Sequence, residues 1–169
     1  MNISIPHNEL TAAAQKGAEP FVLLIMKRIA EAVGGELNAE ALQKLNSQQL
    51  TLWAYFILRD ELMDGGFVQL IHNGYGPFFF RNPFAKAMRQ WGLGELSKII
   101  NKAQKLYAQY GDEIANDCTS EEFMALFEQY PKFDDLDDAF VESEEDFTAL
   151  VAQYVDEHLD TFINIQNNG

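Results

Sequence analysis

Apolar positions along this chain recur every three or four residues, the spacing of helices that bury one stripe and leave the rest to water. Asn8 is placed to cap a short first helix over Glu9–Lys16, which Gly17 ends. A longer helix runs from about Glu19 to Val33, with Pro20 in its first turn and Gly34-Gly35 beyond its end. Its stretch FVLLIM is apolar almost all round and belongs in a core. Asn38 caps a short helix through Leu45. Asn46 or Ser47 opens the next, whose stripe is Leu50, Trp53, Ala54, Ile57 and Leu58.

Residues 64–84 are the most distinctive local sequence. Gly65-Gly66 closes one helix, Phe67–His72 forms a short one, and Asn73-Gly74-Tyr75-Gly76-Pro77 is turn chemistry. Phe78–Phe80 is an aromatic run that imitates a strand. Asn82-Pro83 reads as an N-cap with proline at the first helical position, opening a helix to Trp91 that Gly92-Leu93-Gly94 breaks. The following helix covers about Glu95–Tyr110 and stops at Gly111. Thr119-Ser120-Glu121-Glu122 begins another, which ends before Pro131. Phe133, Leu136 and Phe140, then Phe147, Leu150, Val151, Tyr154 and Val155, carry one helix or two in series to about Ile165. The tail from Gln166 to Gly169 is expected to fray. No segment sustains period-two alternation. The expectation is an all-α fold, a single compact domain over residues 1–169 with eight to ten helices.

Charge changes this picture most in the last third. Residues 1–105 hold eleven Lys/Arg and nine Asp/Glu, whereas residues 106–169 hold one Lys and seventeen Asp/Glu, so the net charge of −14 arises wholly there. Between Phe133 and Asp146, eight of fourteen residues are carboxylates and none is a base. A disordered acidic tail would carry few aromatics. Here the apolar period persists, so the acids lie on the outer face of folded helices. Eight charges over roughly 18 Å of helix axis is one per about 2.3 Å, near the ~1.7 Å per charge of duplex DNA. Such a field repels DNA, RNA and anionic membranes as direct partners and attracts basic proteins.

Catalytic and metal signatures fail on spacing. Read as an EF-hand from Asp135, the loop has Asp137 at position three but Ala139 and Phe140 at five and six. His7, His72 and His158 are scattered, and His158 lacks a glutamate three residues earlier. Cys118, alone among acids, forms no internal disulfide and makes a poor nucleophile. Neither a nucleophile elbow nor a Walker loop is present. Arg81, Lys86 and Arg89 flank the glycine turn and could bind an anion, but the favoured reading is that they offset the acidic half or line a contact. The expectation is therefore no catalytic residue, no metal, no cofactor and no enzymatic activity. No signal peptide is read at the N-terminus, and the longest apolar run is six residues, so the chain is expected to be soluble and cytoplasmic.

The block Gly65-Gly66-Phe67, Asn73-Gly74-Tyr75-Gly76, Asn82-Pro83-Phe84-Ala85 and Trp91-Gly92-Leu93, with the acidic second half, resembles the bacterial DNA-mimic protein family, DNA mimic protein 19 type. The resemblance covers roughly residues 40–160. It implies an all-helical homodimer whose acidic surface occupies the DNA-binding site of a basic protein, a repressor-type transcription factor or a histone-like protein. Carried onto this chain, it selects only acids: Glu121, Glu122, Asp134, Asp135, Asp137, Asp138, Glu142, Glu144, Glu145, Asp146, Asp156, Glu157 and Asp160, on a face drawn mainly from residues 112–160. Part of the aromatic block Tyr75–Phe84 is expected in the core and part near the dimer interface. The alternative is a helical protein-interaction domain whose acidic face serves solubility only.

Overall fold

The computed structural model describes residues 1–115 and 119–167. In chain order the elements are β1 (Ser4–Pro6), α1 (His7–Lys16), α2 (Ala18–Ala32), α3 (Ala39–Lys44), α4 (Ser47–Asp64), α5 (Gly66–His72) and α6 (Gly76–Phe80). There follow α7 (Phe84–Gln90), α8 (Gly94–Ala115), α9 (Ser120–Gln129), a 3-10 turn over Pro131–Phe133, α10 (Asp134–Glu157), α11 (Leu159–Phe162) and β2 (Asn164–Gln166). The fold is all-α. Eleven α-helices stand among the described residues, one more than the upper expectation. Two compact units can be distinguished, one from residues 1–56 and 146–169, the other from residues 57–145.

In the first unit the two ends of the chain pair. β1 and β2 run parallel with Ile5 opposite Ile165, and the Asn164 amide donates to Ile3 O at 2.7 Å. The expectation of fraying from Gln166 fails there, because Gln166 belongs to a strand. Three residues are too few to show a period, and the partner lies some 160 positions away, so hydropathy was silent. α2 buries Phe21, Val22, Ile25 and Ile29 along one stripe. In α4, Leu52 to Phe56 are all at most 7 % exposed, so burial there runs around the helix and not along the expected stripe. Asn46 and Gln49 form a reciprocal capping pair: Asn46 Oδ1 accepts from Gln49 N at 2.8 Å, and Gln49 Oε1 accepts from Asn46 N at 3.1 Å. Gln49 Nε2 donates to Met1 O and Phe162 O at 2.8 and 2.9 Å, so a fully buried amide ties three separate segments.

The second unit is built on the aromatic block. Phe67 lies 6.2 Å from both Phe80 and Phe133, and Phe80 lies 4.9 Å from Tyr107, centroid to centroid. Phe79 meets Phe84 edge-on at 5.0 Å. Phe79, Phe80 and Phe84 are buried, while Tyr75 and Phe78 are half-buried. The Phe78–Phe80 run is helical, opened by Gly76-Pro77. Asn82 does not cap α7; it donates to Phe78 O at 3.0 Å and closes α6, so α7 starts at Phe84. α8 continues through Gly111 to Ala115, beyond its expected end. A Cβ at Gly111 would sit 2.5 Å from Tyr107 Cδ2, so the glycine makes room for that ring within the helix. His72 is structural: its Nδ1 lies 3.1 Å from Ile114 O, and its ring is 4.5 Å from Phe123.

Candidate functional site

The acidic run folds as one helix, α10, on a heptad-like buried stripe. Phe133, Phe140, Phe147, Val151 and Val155 are all at most 4 % exposed. Leu136 and Tyr154 flank the stripe half-buried, whereas Leu150 turns outward at 37 % exposure. Asp134, Asp135 and Asp137 occupy the first turn, where the unpaired N–H groups and the positive end of the helix dipole favour carboxylates.

In the second unit, Asp134, Asp138, Glu142 and Glu145 follow one another at four- and three-residue steps. They therefore line a single outer edge of the helix, with Asp135 beside it, and all five are exposed. Glu121 and Glu122 are exposed in the first turn of α9, where Thr119 Oγ1 accepts from Glu122 N at 3.2 Å as the expected cap. In the first unit, Asp146, Asp156, Glu157 and Asp160 are exposed.

Two of the thirteen acids point the other way. Asp137 falls four residues after Phe133 and Glu144 four after Phe140, both on the core stripe. Asp137 Oδ1 accepts from Phe67 N at 2.8 Å, at the start of α5. Gly66, at φ +75°, leaves the space: a Cβ there would fall 2.3 Å from Asp137 Oδ2. Burial pushes the Asp137 carboxyl up from 3.8 to about 7; the Phe67 hydrogen bond opposes the shift, and Asp134 and Asp138 add to it. Glu144, 13 % exposed, lies 3.5 Å from Arg59 Nη1. An acid at every seventh residue of a buried stripe was visible in the sequence, had the stripe been followed through its polar positions.

Other acids of the second unit were not singled out from the sequence. Asp112, Glu113 and Glu128 are exposed as well. Glu113 accepts from Tyr130 Oη at 2.6 Å, and this bond is the main cause that lifts the Tyr130 phenol to about 12. The basic trio of the anion reading is exposed, with the Arg81 guanidinium 6.0 Å from the Tyr107 ring centre. Cys118 lies outside the described residues. No group of three His, Cys, Asp or Glu among the described residues could hold a metal ion, and no described helix is long and apolar enough to cross a membrane.

The model of the DMP19-like protein family matches residues 43–158, which take in the aromatic block and most of the acidic positions. The chain belongs to the DMP19-like family. Within it, the chain is similar to the protein named DNA mimic protein DMP19 of Neisseria meningitidis serogroup B (strain ATCC BAA-335 / MC58). The two are 36 % identical over 127 residues, covering 75 % of this chain and 77 % of that relative. The family match begins within α3 and ends just past α10, so it includes both inward acids, Asp137 and Glu144, and the outward edge of α10.

Proposed function

We propose that the acidic surface of the second unit stands in for DNA, occupying the DNA-binding site of a basic DNA-binding protein and blocking its access to DNA. The observation that carries this reading is the outward edge of α10. Five exposed carboxylates over eleven residue steps, roughly 16.5 Å of axis, give about one charge per 3.3 Å, and each strand of a duplex carries one per ~3.4 Å. They stand on a helix locked to the core by Phe133 and Phe140, each 0 % exposed, so binding carries no backbone ordering cost. The name of the Neisseria relative supports the same reading. In it the chain is not an enzyme, needs no cofactor and works in the cytoplasm on a repressor-type transcription factor or a histone-like protein. Lysines and arginines that normally hold phosphates would be held by carboxylates through charge-assisted hydrogen bonds.

The test is competition. Proteins captured from a bacterial lysate on the immobilised chain at low salt should be basic DNA-binding proteins, and duplex DNA should release them. Capture should also weaken steeply as salt is raised. If DNA fails to displace the captured proteins, the mimicry reading falls, and solubility becomes the role of the acids. The same reading includes a symmetric homodimer. Sedimentation at micromolar concentration should give twice the 19.2 kDa chain mass, and a monomer there would remove the dimer from the proposal.

A further inference from the structure

In the first unit an open groove of about 400 Å³ is lined by the α1–α2 junction on one side and by α10 on the other. Ala14, Gly17, Ala18 and Phe21 recur at i, i+3, i+4 and i+7 across the junction. Ala149, Ala152, Gln153 and Asp156 repeat that spacing on α10. The α10 set lies on one helical face. The chain's turn at Gly17 brings Ala14 of α1 and Ala18 and Phe21 of α2 to the other wall, so small side chains line the gap. Phe21 and Ala152, 7 % and 4 % exposed, form its floor.

The polar groups of the groove accept hydrogen bonds. Asp156 is exposed and makes no hydrogen bond or ion pair with the described residues. Gln153 donates its Nε2 to Glu157 at 3.2 Å, so its amide oxygen is the atom that remains to accept. A trough that is apolar along its length and accepting at its edge fits a side chain that is aliphatic along its stem and donates at its tip. Lysine and arginine both qualify. A weakly hydrated planar fork with five donors suits a carboxylate and an amide oxygen together better than a compact, strongly hydrated ammonium does. Net charge agrees: this unit holds nine Asp/Glu against four Lys/Arg, a net of −5. The negative end of α1 and the positive end of α2 meet at Gly17, where φ is +135°, so the two helix ends offset each other near the groove.

We propose that this groove seats an arginine side chain of the basic partner, its stem over Phe21 and the alanines and its guanidinium on Asp156. The partner's nature rests on the mimicry reading; the seat itself can be tested without it. Charge alone holds a partner in many registers, whereas a buried arginine anchor fixes one.

The probe is N-acetyl-arginine amide, titrated into the full chain while methyl shifts are followed by NMR. Saturable shifts should appear at the methyls of Ala14, Ala18, Ala149 and Ala152, and the citrulline amide, uncharged but of the same shape, should produce none. Asp156→Asn should weaken the arginine amide roughly tenfold, as loss of one charge-assisted bond implies. Ala149→Leu, a helix-compatible filling of an exposed position, should abolish the shifts with the circular dichroism unchanged. Equal binding of citrulline, or shifts confined to other acidic positions, would overturn the seat. The Ala149→Leu chain should also compete with DNA for the captured protein at least tenfold less well than the wild type. Undiminished competition overturns the arginine anchor alone. Groove shifts without any competition by the wild type overturn mimicry alone.

Discussion

In the first unit a neutral side chain, Gln49, is sealed fully into the core, whereas in the second an acid, Asp137, is turned inward and half-buried. Gln49 is a neutral amide whose oxygen accepts from Met1 N and Asn46 N and whose nitrogen donates to Met1 O and Phe162 O. Tyr55 and Thr148 add a second neutral pair, hydroxyl to hydroxyl at 2.8 Å. Every Asp and Glu of that unit is exposed. The second unit turns three acids partly inward: Asp137, Glu144, and Glu61, which accepts from Gln69 and Asn73. A satisfied amide has no charge to lose, whereas a carboxylate held by one backbone N–H is still titratable. The first unit should therefore be indifferent to pH in its interior, and the second should sense it. On α10 one residue type does two jobs, set only by which side of the helix it occupies.

The largest expected effect separates those two jobs. Replacing Asp134, Asp135, Asp138 and Glu142 by their amides removes four outward charges and keeps their shapes. Stability should change little, because relief of like-charge repulsion on one edge is set against loss of the first-turn charges of Asp134 and Asp135 that the helix dipole favours. Affinity for the captured basic protein should fall by about three decades, at roughly 1 kcal/mol per lost charged contact and ~1.4 kcal/mol per decade. Melting temperature and competition binding, measured on the same sample, decide it. An unchanged affinity would move the binding surface off the 134–145 edge of α10, towards Glu121 and Glu122 or to Asp156, Glu157 and Asp160.

Next comes the neutral tie. Gln49→Leu is nearly isosteric, yet it leaves Phe162 O and Met1 O without a donor and Asn46 N without an acceptor. The expected loss is about 3 kcal/mol, mostly from the buried Phe162 carbonyl left unpaired at ~1–3 kcal/mol, with smaller shares from the part-buried Met1 and Asn46 groups. Urea denaturation at pH 5 and at pH 6.5 should give the same loss, since Gln49 does not titrate and both values lie below the ordinary range of the α-amino group that donates to it. A loss that differs between the two would mean that the first unit also holds a charge inside, and the contrast would fail.

Most of the fold was legible because its signals are local. Asn38 and Thr119 cap the helices expected to open there, Asn46 and not Ser47 caps α4, and the aromatic block packs as a core. Asn8, however, lies inside α1, whose N-cap is Pro6. What was missed depends on distant partners. β1 has meaning only once β2 lies beside it, and Gly111 looks like a stop until Tyr107 is seen against it. The acidic site was legible as composition but not as geometry. Hydropathy counts Asp137 and Asp138 alike, although a one-residue rotation, 100° about the helix axis, sends one to Phe67 and the other to water. The groove left no trace in hydropathy, because alanine and glycine mark a close approach and a gap equally well.

The smallest expected effect is the pH response of Asp137 itself. Its carboxyl is raised to about 7 by burial, against an ordinary value of 3.8, so the folded chain keeps a proton that the unfolded chain has lost. Stability from this group is fully present below pH 3.8, declines as pH rises towards 7, and is gone above it. Between pH 6 and 8 the loss should be about 1.4 kcal/mol, the equivalent of one pKa unit. Asp137→Asn keeps an oxygen to accept from Phe67 N and can lose no proton. The measurement is urea denaturation of wild type and Asp137→Asn at both pH values, because every group common to the two chains cancels in the difference. The variant should gain on the wild type by that amount as pH goes from 6 to 8. If the difference between the chains is flat with pH, the Asp137 carboxylate is hydrated well enough to ionise in place, and the second unit is no more pH-sensitive inside than the first.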